Sequence, residues 1–257
     1  MRKAAIAALL LLAPPPGPVL AAEPPPAASA APLAEAMRQG KRSDGFEARM
    51  RVATVLPDGR RLPQCKLAVI GQSGADGERL LIRGISPDRV RDLFFAAERR
   101  ADGEIRSIAF AGDAASRSAQ ADSFANLLGS GLSLWDLLSP WWNWQQQEFG
   151  GTERIGGRDC SIVRSLSDSP ASAIREVVSC VDRDAGLALR TQLFDGRHAL
   201  VRTIFVVQTM RRESGATAAR RLLITGVGNA TTEIDFYSGD EHYRVPADAF
   251  VPLDPRP

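Results

Sequence analysis

Histidine is scarce in this sequence: of its 257 residues, only His198 and His242 are histidines. Neither lies in H-E-x-x-H or another spacing typical of metal ligands, and there is no G-x-S-x-G elbow, P-loop or G-x-G-x-x-G after a strand. Carboxylate pairs such as Asp182 and Asp184 lie in turns, where they shape the backbone. The chain thus lacks the usual residue sets of hydrolases, nucleotide-binding enzymes and metalloproteins, and we expect neither catalysis nor a metal or other cofactor.

Lysine and net charge are scarce as well. Only three of the 32 basic residues are lysine, and 30 acidic residues leave a formal net charge of +2. Nucleic-acid binders usually carry a strong basic excess, so this balance argues against nucleic acid as a partner. Outside the N-terminus, no apolar run approaches the ~18 residues of a membrane-spanning helix. With 44% hydrophobic residues, the chain can nevertheless bury a core.

The first 22 residues have the features of a secretory signal peptide. Arg2 and Lys3 supply a positive start, residues 4–13 form a short apolar run, and the small residues near position 21 suit cleavage. The run is too short to span a membrane, so we predict a soluble, exported protein. Removal of residues 1–22 takes away two basic residues and no acid, which leaves a formally neutral chain. A neutral chain has no electrostatic reason for standing attachment to anionic lipid.

The rest of the chain divides into a linker and one domain. Residues 23–42 begin as a stretch rich in proline and alanine, which favours an extended linker, and continue into a predicted short helix at Leu33–Arg38. Residues 43–257 contain no internal repeat of useful length and no domain boundary. We therefore predict a single domain over residues 43–257.

Most of this domain alternates apolar and polar residues with the period of two that is typical of β-strands. Turn signals such as Pro57-Asp58-Gly59 and Asp195-Gly196 separate the runs. About ten or eleven strands in a mainly β fold with few helices predict a large antiparallel sheet that curls on itself. The predicted strands are Phe46–Leu56, Cys65–Gly71, Arg79–Arg83, Leu93–Arg99, Glu104–Phe110, Asp159–Leu166, Ala173–Asp182, Leu187–Phe194, Ala199–Met210, Arg221–Val227 and Thr231–Tyr237.

Helical signals are few, and the clearest one coincides with all four tryptophans. A short helix is predicted over Ala121–Leu128, and Ser133 and Asp136 have the spacing of a capping box for a second helix, which Pro140 limits. Two interpretations stay open: the helix covers one mouth of the sheet and fills its core, or it lines an apolar groove or forms a lid for a lipid. The candidate groove or lid residues are Leu134, Trp135, Leu137, Leu138, Trp141, Trp142 and Trp144.

The three cysteines are interpreted for an oxidising compartment, in which disulfides are favoured. A hairpin symmetric about Pro170 places Cys160 opposite Cys180 and Arg164 opposite Glu176. Opposed strand residues have Cα atoms about 4.5–5.5 Å apart, which a disulfide can bridge, so we predict a structural Cys160–Cys180 bond. Cys65 alternates with apolar residues and is predicted to be a buried small hydrophobe.

Several motifs, taken in order, resemble the outer-membrane lipoprotein-sorting proteins, the LolA-like carriers of Gram-negative bacteria. They are Ser133–Pro140 with the following tryptophans, Gly157–Cys160, Val181–Arg190, Phe194–Gly196 and Val245–Phe250. The resemblance spans most of residues 46–252, and the chain looks more like the uncharacterised relatives than like the classical lipoprotein carrier. It implies a half-open β-barrel around short helices, with an apolar concave face that holds acyl chains.

The resemblance also implies a function. We expect a monomeric, periplasmic carrier or chaperone for the acyl chains of a lipid or lipoprotein. The resemblance also implies an inner-membrane transporter or release complex as a partner. An alternative is a protein-interaction or sensing module of the envelope on the same fold, with no transported cargo. A hydrolase that uses Cys65 with His198 or His242 is the enzymatic alternative.

Overall fold

A computed structural model of the chain describes residues 29–101, 103–111, 119–169, 172–226, 230–251 and 253. The predicted signal peptide, the start of the linker and Pro170 lie outside these residues. Within them, thirteen antiparallel strands form one sheet, whose order is β6-β5-β4-β3-β2-β1-β13-β12-β11-β10-β9-β8-β7. The strands are β1 Ser43–Val55, β2 Cys65–Gly74, β3 Gly77–Ser86, β4 Leu93–Arg100, β5 Ile105–Ala111, β6 Ala119–Gln120, β7 Gln146–Ile155, β8 Arg158–Leu166, β9 Glu176–Asp182, β10 Leu187–Phe194, β11 Leu200–Arg211, β12 Thr217–Gly226 and β13 Thr231–Asp240.

In the described part of the chain, three short α-helices accompany the sheet: α1 Ala31–Gly40, α2 Asp88–Arg91 and α3 Leu134–Leu138. Two 3-10 turns, Leu127–Gly129 and Pro140–Asn143, flank α3. Pro32 occupies the first turn of α1, where its missing N–H costs no helical hydrogen bond. The helix therefore begins before the predicted start at Leu33.

The sheet consists of two meanders, which are joined by one pairing between strands far apart in the sequence. Strands β1–β6 follow each other as hairpin neighbours, and so do β7–β13. The pairing of β1 with β13, from Glu47 opposite Asp240 to Val55 opposite Thr231, connects the two halves. Because β6 and β7 lie at the two ends of the strand order, the sheet of the described residues stays open.

The main core lies between α3 and one face of the sheet, which we call the inner face. Leu134 and Leu138 of α3 pack with buried side chains such as Met50, Ile82 and Ile234 from strands of both meanders. Toward the other end of the sheet, the tryptophans pack in a second cluster with valines and a leucine of β8–β10. The alternation of apolar and polar residues along the strands thus places the apolar side chains on the inner face, where they are buried against the short helical segment.

The opposite, outer face is also covered in two places. Near the C-terminus, Val245, Phe250 and Leu253 pack with alternate residues of β3–β5, including Phe94 and Phe110. At the other end of the sheet, Cys160, Cys180 and Leu189 form a small buried cluster. The C-terminal motif with Val245 and Phe250 is therefore a structural cover for the strands.

The mainly β, open antiparallel fold is confirmed, and two details of the prediction are corrected. The sheet has thirteen strands instead of ten or eleven, because β7 and the two-residue β6 were not predicted. The predicted helix over Ala121–Leu128 is wrong. Asp122 accepts a hydrogen bond from the backbone N–H of Phe124 at 2.9 Å and turns the chain, and Leu128 has a positive φ of 53°.

The cysteine hairpin has a different register from the predicted one. Cys180 lies opposite Ile162, and Glu176 lies opposite Leu166, so the register is shifted by two residues. A shift of two keeps every side chain on its predicted face, since side chains alternate with period two. Arg164 and Glu176 therefore still form an ion pair, at 2.8 Å between Nε and Oε1.

Candidate functional site

The short helix α3 is held at its start by the predicted capping box. The backbone N–H of Asp136 donates to Ser133 Oγ at 3.2 Å, and the backbone N–H of Ser133 donates to Asp136 Oδ2 at 2.9 Å. The helix ends at Leu138 because Ser139 adopts a left-handed conformation and Pro140 follows. Trp141 consequently lies in the following 3-10 turn and not in α3.

A buried arginine connects this helix to the sheet. Arg202, which projects from β11 and is only 6% exposed, forms a salt bridge with Asp136 Oδ2. The same guanidinium donates to Ser133 Oγ at 3.0 Å and to Asn126 Oδ1 at 3.2 Å, and it stands over the ring of Phe124. One side chain thus ties β11 to α3 and to the loop before it.

Burial beside Arg202 removes the carboxylate of Asp136 from water, which destabilises its charged form. Burial raises the pKa of its carboxyl above the ordinary value, while the charge of Arg202 and the hydrogen bonds from Ser133 oppose that shift. All these contacts engage Oδ2; among the described residues, the buried Oδ1 has no hydrogen-bond partner. The positive charge of Arg202 therefore offsets the cost of burying this carboxylate.

The four tryptophans form one aromatic cluster beside α3. Trp135 lies at its centre, with ring-centroid distances of 5.1 Å to Trp141 and 6.4 Å to Trp144, and the ring of Trp142 is tilted against that of Trp141 at 6.1 Å. Such tilted and edge-on pairs are favourable beyond the area that they bury. The indole N–H of Trp141 is buried without a hydrogen-bond partner among the described residues.

The structure brings the seven candidate groove residues together between the helical segment and the inner face. Leu134, Trp135, Leu138, Trp141 and Trp142 are buried, whereas Leu137 and Trp144 are partly exposed. Partly exposed Phe46, Leu222 and Phe236 pack against the same apolar cluster as Leu137. The interior is filled by the protein's own side chains and has a half-exposed apolar edge, which we call the apolar rim (Phe46, Leu137, Leu222 and Phe236).

With this geometry, the fold can be compared with known structures. An outer-membrane lipoprotein-sorting protein domain from Vibrio parahaemolyticus superposes with a TM-score of 0.76 at 15% identity, over 87% of this chain and 97% of that one. The chain has the LolA-like fold. A LolA superfamily protein from Nitrosomonas europaea gives a TM-score of 0.68 at 14% identity, over 87% and 98%. A DUF1329 family protein from Desulfovibrio piger gives 0.75 at 20%, over 86% and 94%. No family model matches the chain, and no curated protein matches it in sequence.

Within the LolA-like fold, the cysteines have the predicted structural positions. The Cys160–Cys180 disulfide is confirmed, with a Cα–Cα distance of 5.4 Å, and it lies on the outer face, away from the tryptophans. Cys65 is buried in the main core, as predicted. Its thiol contacts the backbone oxygen of Pro63 at 3.7 Å, whereas His198 pairs with Glu176 and stacks on Phe194.

Among the described residues, no group of three or more histidine, cysteine, aspartate or glutamate side chains is arranged to hold a metal ion. No helix in this part of the chain has the length and apolar character needed to cross a membrane.

The sequence patterns missed Arg202, although a signal was present. It stands at an inward position of β11, two residues before Ile204, which packs in the core. An arginine in the apolar phase of a strand requires a buried acidic or polar partner. The capping box already indicated Asp136 as a polar group, but its sequence separation of 66 from Arg202 hides the pairing.

Replacement of Ser133 by alanine is expected to lower the free energy of unfolding by about 1–2 kcal/mol, because it removes the cap of α3. Urea unfolding followed by tryptophan fluorescence measures the change. Ser238, which is exposed on β13, provides the matched control, and Ser238→Ala should stay within about 0.5 kcal/mol of the wild type. Equal effects of the two substitutions would contradict the capping role.

Proposed function

We propose that the protein is a non-enzymatic carrier or chaperone that holds the acyl chains of a lipid or lipoprotein against the inner face of its open sheet. The observation that carries the proposal is the apolar packing between the helical segment and the inner face. Its two clusters share partly buried Ile105 and Ile204, and the partly exposed apolar rim packs against the main core. Each CH₂ of an acyl chain that leaves water there contributes about 0.8 kcal/mol.

The way in which the helical segment is attached supports this proposal. Apart from the polar contacts of Ser133 and Asp136 at its start and the bonds from Lys41 to the Leu137 and Leu138 carbonyls at its end, α3 meets the inner face through apolar side chains. An acyl chain can replace these apolar contacts without loss of hydrogen bonds. The closed arrangement also leaves Asp136 Oδ1 and Trp141 Nε1 buried without partners among the described residues. Unsatisfied buried atoms lower the cost of opening, because water can then reach both atoms and a cargo carbonyl can accept a hydrogen bond from the indole N–H of Trp141.

The proposed place of action is the periplasm, reached with the signal peptide at residues 1–22. Support comes from the likeness to a lipoprotein-sorting protein domain and from the disulfide, which suits an oxidising compartment. An inner-membrane transporter or release complex is the corresponding partner for loading or unloading, and a monomer is the proposed carrier form.

Organic extraction of protein purified from the periplasm, followed by lipid mass analysis, tests the proposal directly. We expect acyl-chain material in the extract and a matching adduct in native mass spectrometry. A binding titration with cis-parinaric acid, a fluorescent fatty acid, then locates the site. Leu137→Glu should weaken this binding on the order of tenfold or more, because it puts a charge at the apolar rim.

Leu200→Glu is the matched control, since Leu200 is 49% exposed and lies on β11 outside the apolar rim. It should bind the fatty acid like the wild type. The carrier proposal fails if native mass spectrometry shows only the apo mass and no fatty acid binds. It also fails if both glutamate variants bind as tightly as the wild type.

A second candidate is a protein-interaction or sensing module of the envelope. The observation that favours it is the burial of Trp135, Trp141 and Trp142, because these side chains already fill the space that cargo would need. Crosslinking in cells separates the two candidates. Capture of a membrane protein by a chain that carries no extractable lipid would favour the module over the carrier.

A further inference from the structure

A polar cavity of about 170 Å³ lies beside α3, at the side opposite its cap. The C-terminal half of α1, the β2–β3 turn, the end of β4 and the junction between α3 and the following 3-10 turn enclose it. Its size allows several water molecules or a small polyatomic ion. Trp142 also lines this cavity, which therefore borders the tryptophan cluster.

The charges around this cavity are unbalanced. Among the described residues, Arg38, Lys41, Arg42 and Arg99 line it, together with two acids, Glu35 and Glu78. Arg38 is paired with Glu35, and Glu78 is shared between Lys41 and Arg99. Four positive and two negative charges in this described lining favour an anion in the cavity.

Arg99 is the residue that points most clearly to a ligand. It is 9% exposed, yet its Nη2 lies 3.7 Å from Glu78 Oε2, beyond hydrogen-bond distance, and its Nη1 donates only to the Arg100 carbonyl, at 3.5 Å. Its buried Nε has no partner among the described residues. A guanidinium carries five N–H donors in a planar fork that matches oxyanions, and burial without acceptors is costly.

The other walls are fixed, so the donors are held in place. Lys41 Nζ donates to the carbonyls of Leu138 at 2.9 Å and Leu137 at 3.3 Å, and it pairs with Glu78 at 3.0 Å. Arg38 donates to the Trp142 carbonyl at 2.7 Å. These bonds join α1 to the C-terminal end of α3, which keeps both the cavity and the helical segment in one arrangement.

We propose that this cavity binds an oxyanion of the phosphate class through Arg99, with exposed Arg42 at its entrance. The ligand is either free phosphate or the phosphate of a lipid headgroup. The second source rests on the proposed carrier function, because the cavity borders the interior that would hold the acyl chains. The oxyanion site itself is independent of that function.

Calorimetric titration with inorganic phosphate, at constant ionic strength in chloride, tests the site. We expect binding to the wild type and a loss on the order of tenfold or more in Arg99→Met, because the charge-assisted hydrogen bonds are gone. Arg42→Met should also weaken binding, and it provides a second test at an exposed position if Arg99→Met does not fold. Arg211→Met is the matched control, since this exposed arginine on β11 lies outside the cavity.

Two short-chain lipids distinguish the sources of the phosphate. A headgroup site is identified by two results together. Dioctanoyl phosphatidic acid binds more tightly than dioctanoylglycerol, and Arg99→Met abolishes this difference in affinity. Binding of phosphate without this preference identifies a site for the free ion. The proposal is overturned if the wild type binds no phosphate, or if all three arginine variants bind it equally.

The same titrations separate this proposal from the carrier function. If both lipids bind equally and Arg99→Met changes neither, while phosphate does not bind, the oxyanion site is wrong and the carrier stands. If phosphate binds through Arg99 and neither lipid binds, the site stands and the carrier fails.

Discussion

Replacement of Arg202 by methionine is expected to lower the free energy of unfolding by about 3–5 kcal/mol, as when one partner of a buried ion pair is removed. The substitution leaves Asp136 buried beneath β11 without its compensating charge. Burial already raises the pKa of Asp136, and without the arginine the folded state will bind a proton at this carboxyl more readily. The loss of stability should therefore be greater at neutral pH than in mild acid.

Urea unfolding followed by circular dichroism at two pH values measures this effect. The double variant Arg202→Met with Asp136→Asn removes both charges and should recover much of the lost stability. Arg211→Met controls for the loss of an exposed arginine and should change stability by less than about 0.5 kcal/mol. If Arg202→Met costs no more than this control, the ion pair does not hold the helix to the sheet.

Removal of the disulfide by the double substitution Cys160→Ser and Cys180→Ser is expected to lower the free energy of unfolding by about 3 kcal/mol. The bond closes a loop with a sequence separation of 20, and a loop of this size restricts the unfolded chain by about that amount. Since the bond lies on the outer face, fatty-acid binding by the folded double variant should stay unchanged.

Thermal unfolding with and without a strong reductant provides the control for this prediction. The wild type should lose stability on reduction, whereas the double variant should show the same unfolding temperature in both conditions. Cys65 is buried and unpaired, so it contributes no bond for the reductant to break. An unfolding temperature of the wild type that does not change on complete reduction would contradict a stabilising disulfide.

The strands that were predicted correctly are those in which one face is apolar and the other polar. β2, for example, begins at the predicted Cys65, and Cys65, Leu67 and Val69 are buried in the main core at alternate positions. β7 was missed because its segment is rich in polar residues and contains two adjacent glycines at 150 and 151. Its strand state depends on pairing with β8, and that tertiary contact overrides the local pattern.

Only those contacts of the candidate site that join residues close together in the sequence could be predicted. The capping box of Ser133 and Asp136 could be identified because its partners are three residues apart. The contact of Asp136 with Arg202 needs the topology of the whole sheet, and so does the approach of Lys41 to Arg99 through Glu78. Such long-range polar pairings leave no periodic signal in one sequence.

The open ends of the sheet have a consequence for association between copies. An exposed edge strand presents unpaired backbone groups that can recruit another chain. β7 interrupts its own edge with a bulge between Phe149 and Thr152, and Gly151 supplies the positive φ of 103° that this bulge requires. Ser29 and Ala30 then occupy part of the same edge, through a bridge to Glu148 and a backbone bond to Gln147. The glycine pair that hid this strand thus disfavours growth of the sheet into a neighbouring molecule.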